Sequence, residues 1–300
     1  MKLIEAIIIF GAISSGMLAL LALGFTLIYG VAEVVNMAHG ALFMLGAYFF
    51  WLLTASFGLP FEPIQADPIL AMVVSIVFVA IVGTIFYRVT IHPVLEDQTA
   101  VLVVTVGASI IIQQLMIVEF GAGRRPVTSF MSGYQTILGE KVTNSQLIAF
   151  AVSLVIFVFL WTFITKTKMG SSMRAVAQDR EMGMLVGINT PRLHMLTMGI
   201  SSLMAALAGI LITASTTGMA YPHMWNEPLY MSFAIVILGG LGSVKGTLVG
   251  AFIIGFTENI FVFLVPGGSF LKGAVALAIM VLVIFFRPKG LFGKRIELEE

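Results

Sequence analysis

The feature that most constrains this chain is a succession of uninterrupted apolar blocks, the first running from Ile7 to Tyr29 without a single charge. A hydrocarbon core about 30 Å thick takes about 20 residues of helix to cross. Blocks of that kind recur at about 5–29, 41–57, 69–87, 100–118, 146–165, 195–217, 229–240, 247–265 and 271–287. They are continuous rather than alternating, which excludes the strands of a membrane barrel. In lipid an open strand cannot satisfy its own backbone, so helix is the remaining choice. The seventh block is too short to cross alone. It is either half of a broken helix or joined to its neighbour through a glycine run. The expected fold is therefore all-α, a polytopic transmembrane bundle of eight or nine spans with at least one broken or short helix.

Composition supports this and narrows the function. Hydrophobic residues make up 59% of the chain and charged residues 10%, where soluble domains carry about 25% charge. The net charge of +1 gives no electrostatic case for nucleic acid. There is no cysteine, and none of the four histidines pairs with another at ligand spacing, so no metal site is expected. The first block is longer than the apolar region of a cleaved signal, and Lys2 is balanced by Glu5. No serine–histidine–acid or paired-carboxylate arrangement stands out, which argues against an enzyme. No Gly-x-x-x-x-Gly-Lys-Ser/Thr motif occurs. Each polar stretch is too small to form a domain with its own core. The chain reads as one membrane domain over 1–300 that binds no cofactor, so its energy source must be another polypeptide.

Orientation follows from loop arginines and lysines, which mark the cytoplasmic face. The 166–194 loop carries Lys166, Lys168, Arg174, Arg180 and Arg192, and the C-terminal tail carries Arg287, Lys289, Lys294 and Arg295. Both are expected inside, and the 58–68 loop, with Glu62 and Asp67 but no basic residue, outside. Alternation puts 88–99 and 241–246 inside and 119–145 outside.

Four features are candidates for function. The 170–189 loop predicts a helix of about four turns, starting at Ser171 or Ser172 and stopping at Gly187. Met173, Val176, Ala177, Met184 and Leu185 would form an apolar face, and Arg174, Asp179, Arg180 and Glu181 a charged one. Thr190-Pro191 then offers a cap and a first-turn proline for the next span. Such a helix either docks in a groove of a partner or lies on the bilayer. The second feature is Asn36-Met-Ala-His39-Gly40, preceded by Gly30 and Glu33. It is either a plain turn or a broken helix at membrane depth, where transporters build binding sites. Third, Gly242, Gly246 and Gly250 recur every four residues, a spacing that lets helices approach closely. Last come isolated polar groups near spans: Gln113, Gln114, Asn226, Glu227, Glu258 and Asn259. Glu258 lies well inside its span and either lines a pathway or pairs with a neighbouring helix.

Together these segments resemble the permeases of branched-chain amino-acid ABC importers of the LivH type. The resemblance rests on four co-linear motifs: Asn36–Tyr48, Met173–Asn189, Gly239–Ala251 and Phe286–Gly293. It covers essentially the whole chain and implies a five-part inner-membrane importer. Two ATP-binding cassette subunits would use ATP, a second related permease subunit would complete the membrane part, and a periplasmic binding protein would deliver the solute. It also implies that Arg174, Gln178, Arg180, Glu181, Gly187 and Asn189 meet the ATPase, with Asp179 between them. One departure is Met182-Gly183, where the family commonly has two alanines. The implied mechanism is alternating access without covalent change to the solute. Leucine, isoleucine and valine are the expected solutes, with urea or short amides as the alternative within the family. An ion-coupled secondary transporter is the competing class.

Overall fold

In the computed structural model, which describes residues 2–55, 65–287 and 290–293, the apolar blocks become helices with boundaries close to those expected. The chain order is α1 (Lys2–Ala32), α2 (His39–Thr54), α3 (Pro68–Phe86), α4 (Gln98–Phe120), α5 (Asn144–Lys166), α6 (Lys168–Val176), α7 (Arg180–Leu185), α8 (Thr190–Ile212), α9 (Asn226–Gly239), α10 (Val244–Leu264) and α11 (Lys272–Phe286). π turns extend α3 over Tyr87–Ile91 and α8 over Thr213–Thr217. Seven segments among the described residues are long and apolar enough to cross a membrane. The protein is a multi-pass membrane protein. Glu62, Lys289, Lys294 and Arg295, used above for orientation, lie outside the described residues.

α1 and α8 form the centre. In each, 67% of the most apolar window is buried within the chain, against 17% for α4 and α5 and 6% for α11. The outer helices turn their remaining apolar surface outward, as lipid or a neighbouring subunit requires. α6 and α7, with Lys166, Lys168, Arg174, Arg180 and Arg192, mark the basic end of the bundle.

Two further apolar helices are shorter than a full crossing. The expected span at 41–57 is a 16-residue helix and α9 has 14 residues, about 24 and 21 Å at 1.5 Å per residue. After α1 reaches the basic end at Ala32, residues 33–38 fold back into the bundle as a non-helical strap, and α2 starts from its top. The depth follows from His39, whose Nε2 donates to the Leu21 carbonyl at 2.9 Å and whose Nδ1 lies 3.4 Å from Ser201 Oγ. Leu21 and Ser201 are each eleven residues, about 16 Å, from the basic-end termini of α1 and α8. Gly40 packs against the Trp225 backbone, so α9 begins at the same level. α2 and α9 run from that level toward opposite ends.

Irregular backbone at such depth survives only where protein groups satisfy it. The Met37 N–H donates to Thr105 Oγ1 at 3.2 Å, and Ser109 Oγ donates to the Met37 carbonyl at 3.2 Å. The N–H of Ala38 donates to Asn36 Oδ1 at 3.0 Å. Asn36 Nδ2 reaches Met198 Sδ at 3.6 Å. Two α4 side chains one turn apart thus replace a helical turn for the strap. Thr105→Val, which keeps the shape and removes the acceptor, should cost about 1–3 kcal/mol by leaving a buried N–H unpaired. The readout is the unfolding temperature of the detergent-purified protein, expected to fall; an unchanged value would show that the strap does not depend on this bond.

The glycine repeat works as a close-packing device in part. Gly246 lies against the Gly239 carbonyl, and a Cβ on Gly250 would stand 2.6 Å from the Ile235 carbonyl oxygen, so α9 and α10 touch backbone to backbone. Gly242 does not share that face. Ser243 caps α10 by accepting from Gly246 N–H at 3.1 Å, so Gly242 lies before the helix, at φ 78°, beside Gly30. Across α1 and α10, Thr26 and Thr247 hydroxyls bond at 2.6 Å.

The all-α expectation also gains four short strands. β2 (Tyr134–Ile137) and β3 (Glu140–Thr143) form a hairpin between α4 and α5, and β1 (Arg125–Pro126) pairs antiparallel with β4 (Met219–Ala220). The second pair ties the loop after α4 to the descent from α8 toward α9.

Candidate functional site

The descent over 218–225 and the short helix that follows leave a cavity of about 290 Å³ in the half of the bundle away from the basic end. One wall is apolar: Met17 and Leu18 of α1, Phe43 of α2, and Met224 and Met231 around the start of α9. The other carries Glu227, Glu258 and Lys272. Thr216 and Thr217, in the π turn that ends α8, complete the lining beside Tyr221; π turns often mark functional positions.

Helix pairing sets the level of these charges. α9 and α10 run antiparallel, with Gly239 on Gly246 and Ile235 on Gly250, and continuing that register places Glu227 opposite Glu258. A Cβ on Gly273 would lie 4.0 Å from Glu227 Cγ, which brings the first turn of α11 to the same height. Glu258 is only 3% exposed, and its Oε1 has no hydrogen-bond partner. Its neighbour Asn259 is spent locally, with Nδ2 donating to the Gly255 carbonyl at 2.8 Å. The N-terminus of α9 has no side-chain cap. Gln113 of α4 accepts from Trp225 Nε1 at 2.6 Å and holds the chain just before α9.

The candidates from the sequence separate into three places. Glu227 and Glu258 meet in the cavity, joined by Lys272, which sequence reading missed. Asn36, His39 and Gly40 are wholly within the bundle, with both side chains engaged by α1 and α8. Glu33 is exposed near the basic end, at φ 54°, where α1 gives way to the strap.

The third place is the basic end. Instead of one helix from Ser171 or Ser172 to Gly187, there are two. Thr167 starts α6 by accepting from Gly170 N–H at 3.0 Å. Asp179 breaks the continuity because its carboxylate caps α7, accepting from Met182 N–H at 2.9 Å. Gly187, at φ 87°, turns the chain after α7. Asn189, rather than Thr190, caps α8 by accepting from Arg192 N–H at 3.1 Å. The expected single apolar face is divided as well. Met173 and Val176 pack inward on Val31 and Leu193, and the Arg174 guanidinium donates to the Ile164 carbonyl. Gly183 is buried against Val176, so a glycine there lets α7 fold onto α6. By contrast Met182, Met184, Leu185 and Val186 are bare, the last two 79% and 76% exposed, beside exposed Gln178, Arg180 and Glu181.

Comparison with known proteins places this architecture. The family model described as branched-chain amino acid transport system / permease component matches residues 7–284. The chain is 30% identical over 290 residues to the high-affinity branched-chain amino acid transport system permease protein LivH of Escherichia coli K12, covering 92% of this chain and 91% of that one. It is 28% identical over 289 residues to the corresponding protein BraD of Pseudomonas aeruginosa, again covering 92% and 91%. Among solved structures, PsaBC from Streptococcus pneumoniae in complex with Fab has a chain with the same fold, at TM-score 0.52 and 12% identity over 94% of this chain and 92% of that one. This chain belongs to the family of branched-chain amino acid transport system permease components.

Proposed function

We propose that this protein is a membrane-spanning subunit of an ATP-driven importer for leucine, isoleucine and valine. The observation that carries the reading is the bare apolar and charged surface of α6–α7, on a family member with no nucleotide motif in its sequence. Four apolar side chains exposed at the polar end of a membrane protein suit burial against another protein. In this reading the basic end faces the cytoplasm, together with the C-terminus, in the bacterial inner membrane. Two ATP-binding cassette subunits dock on α6–α7 of this chain and of a second, related permease subunit. A periplasmic binding protein presents the solute at the opposite end. ATP is used by the partners, and the solute passes chemically unchanged.

The test is uptake of radiolabelled leucine into proteoliposomes holding this chain with its partner subunits and a loaded binding protein. Uptake is expected only with ATP on the side of the basic end. Accumulation by this chain alone under a proton or sodium gradient would overturn the reading in favour of a secondary transporter. ATP-dependent uptake of urea in place of leucine would overturn the solute assignment.

A further inference from the structure

We infer that the Glu227–Glu258–Lys272 cavity is a binding site for an aliphatic amino-acid zwitterion on its way through this subunit. The inference rests on the importer reading above.

Ionisable groups within a membrane span are costly, and they persist where they face one another or a polar ligand. Two carboxylates and one ammonium side chain share the cavity at one level. An incoming α-ammonium group gives Glu258 Oε1 the hydrogen-bond partner it lacks. The solute's carboxylate needs a cation on the same level, and Lys272 supplies one.

The remaining wall decides what kind of amino acid fits. Met17, Leu18, Phe43, Met224 and Met231 give a surface without hydrogen-bonding groups, and three of these five are methionines, whose flexible thioethers accommodate differently branched side chains. A polar or charged side chain laid against these five residues would lose its hydration without recompense. Leucine, isoleucine and valine would each bury their aliphatic group. The cavity thus sets a charged side against an apolar one, matching the two halves of such a solute, with the hydroxyls of Ser14, Thr216, Thr217, Tyr221 and Ser269 completing its lining.

A diazirine analogue of leucine, photolysed in the complete ATP-driven complex, is expected to label Met17, Leu18, Phe43, Met224 or Met231, with loss of label under excess leucine. Glu258→Gln and Lys272→Gln keep side-chain size while removing charge, and each should lower leucine uptake about tenfold or more. Assembly of each variant is checked by co-purification of the ATPase subunits. Competable label confined to other segments, or wild-type uptake by both assembled variants, would overturn the site. A wild-type complex showing no ATP-dependent leucine uptake would instead overturn the importer reading, so the two failures are distinguishable.

Discussion

Leu185→Asp should abolish solute uptake by the assembled transporter while leaving this chain folded. Leu185 is 79% exposed and Val186 76% exposed, so the chain itself loses almost no packing when either becomes polar. The cost falls on the docked state. Burying a leucine side chain against a partner contributes roughly 1.5–3 kcal/mol, and placing an unpaired carboxylate in that contact adds a desolvation penalty. Together these give a loss on the order of a hundredfold in docking. Arg180→Glu tests the charged part of the same surface. Arg180 is exposed and opens α7, where a glutamate suits the helix dipole better than an arginine. Folding should not suffer, yet the charge on the proposed docking surface is reversed. Both variants should reach wild-type abundance in the membrane, recover little ATPase subunit on purification and take up little leucine. Normal uptake by either variant would refute docking at α7.

The apolar blocks were legible because a membrane span is defined by length and hydrophobicity, both visible without tertiary information. Depth was not. Residues 41–57 have the composition of a full crossing, and only the return of the 33–38 strap into the bundle shortens α2 and starts it at the level of Leu21. That return depends on Thr105 and Ser109, some seventy residues away, which look like ordinary small polar residues on a span. The cap at Asp179 was legible in principle. An aspartate two residues after Ala177 can either sit on a helix face or end one helix and begin the next, and the choice follows from how α7 folds onto α6. Lys272 was hidden differently. It stands at a span boundary, where a lysine is unremarked, and only the register of α9, α10 and α11 places it beside two carboxylates. The hairpin at 134–143 lacks the usual Asn-Gly signal. Leu138 and Gly139 fill its two-residue turn, both with positive φ, a conformation seldom given to leucine.

Gly40→Val should destabilise the protein and lower uptake together. Gly40 stands in the first turn of α2, where a Cβ would lie 2.6 Å from the Trp225 carbonyl oxygen and 3.0 Å from Leu229 Cβ. The nearest atom is backbone, so no side-chain rotation relieves the clash. Separation of α2 from α9 is the remaining response. Overpacking of this kind costs about 1–3 kcal/mol and occasionally more. Separation would also draw Trp225 from Gln113 and reposition Phe43 against Glu227 on the opposite wall of the cavity. Uptake should therefore fall together with the unfolding temperature in detergent. Gly107→Val is the matched control, because a Cβ on that α4 glycine meets nothing within 4 Å. It makes the same chemical change in a helix of the same chain, where valine is the better helix former. An equal drop in unfolding temperature for both variants would show that the meeting of the two short helices does not hold the structure. A drop confined to Gly40→Val would locate the stability of the bundle's middle, and the shape of its cavity, at the point where α2 and α9 begin.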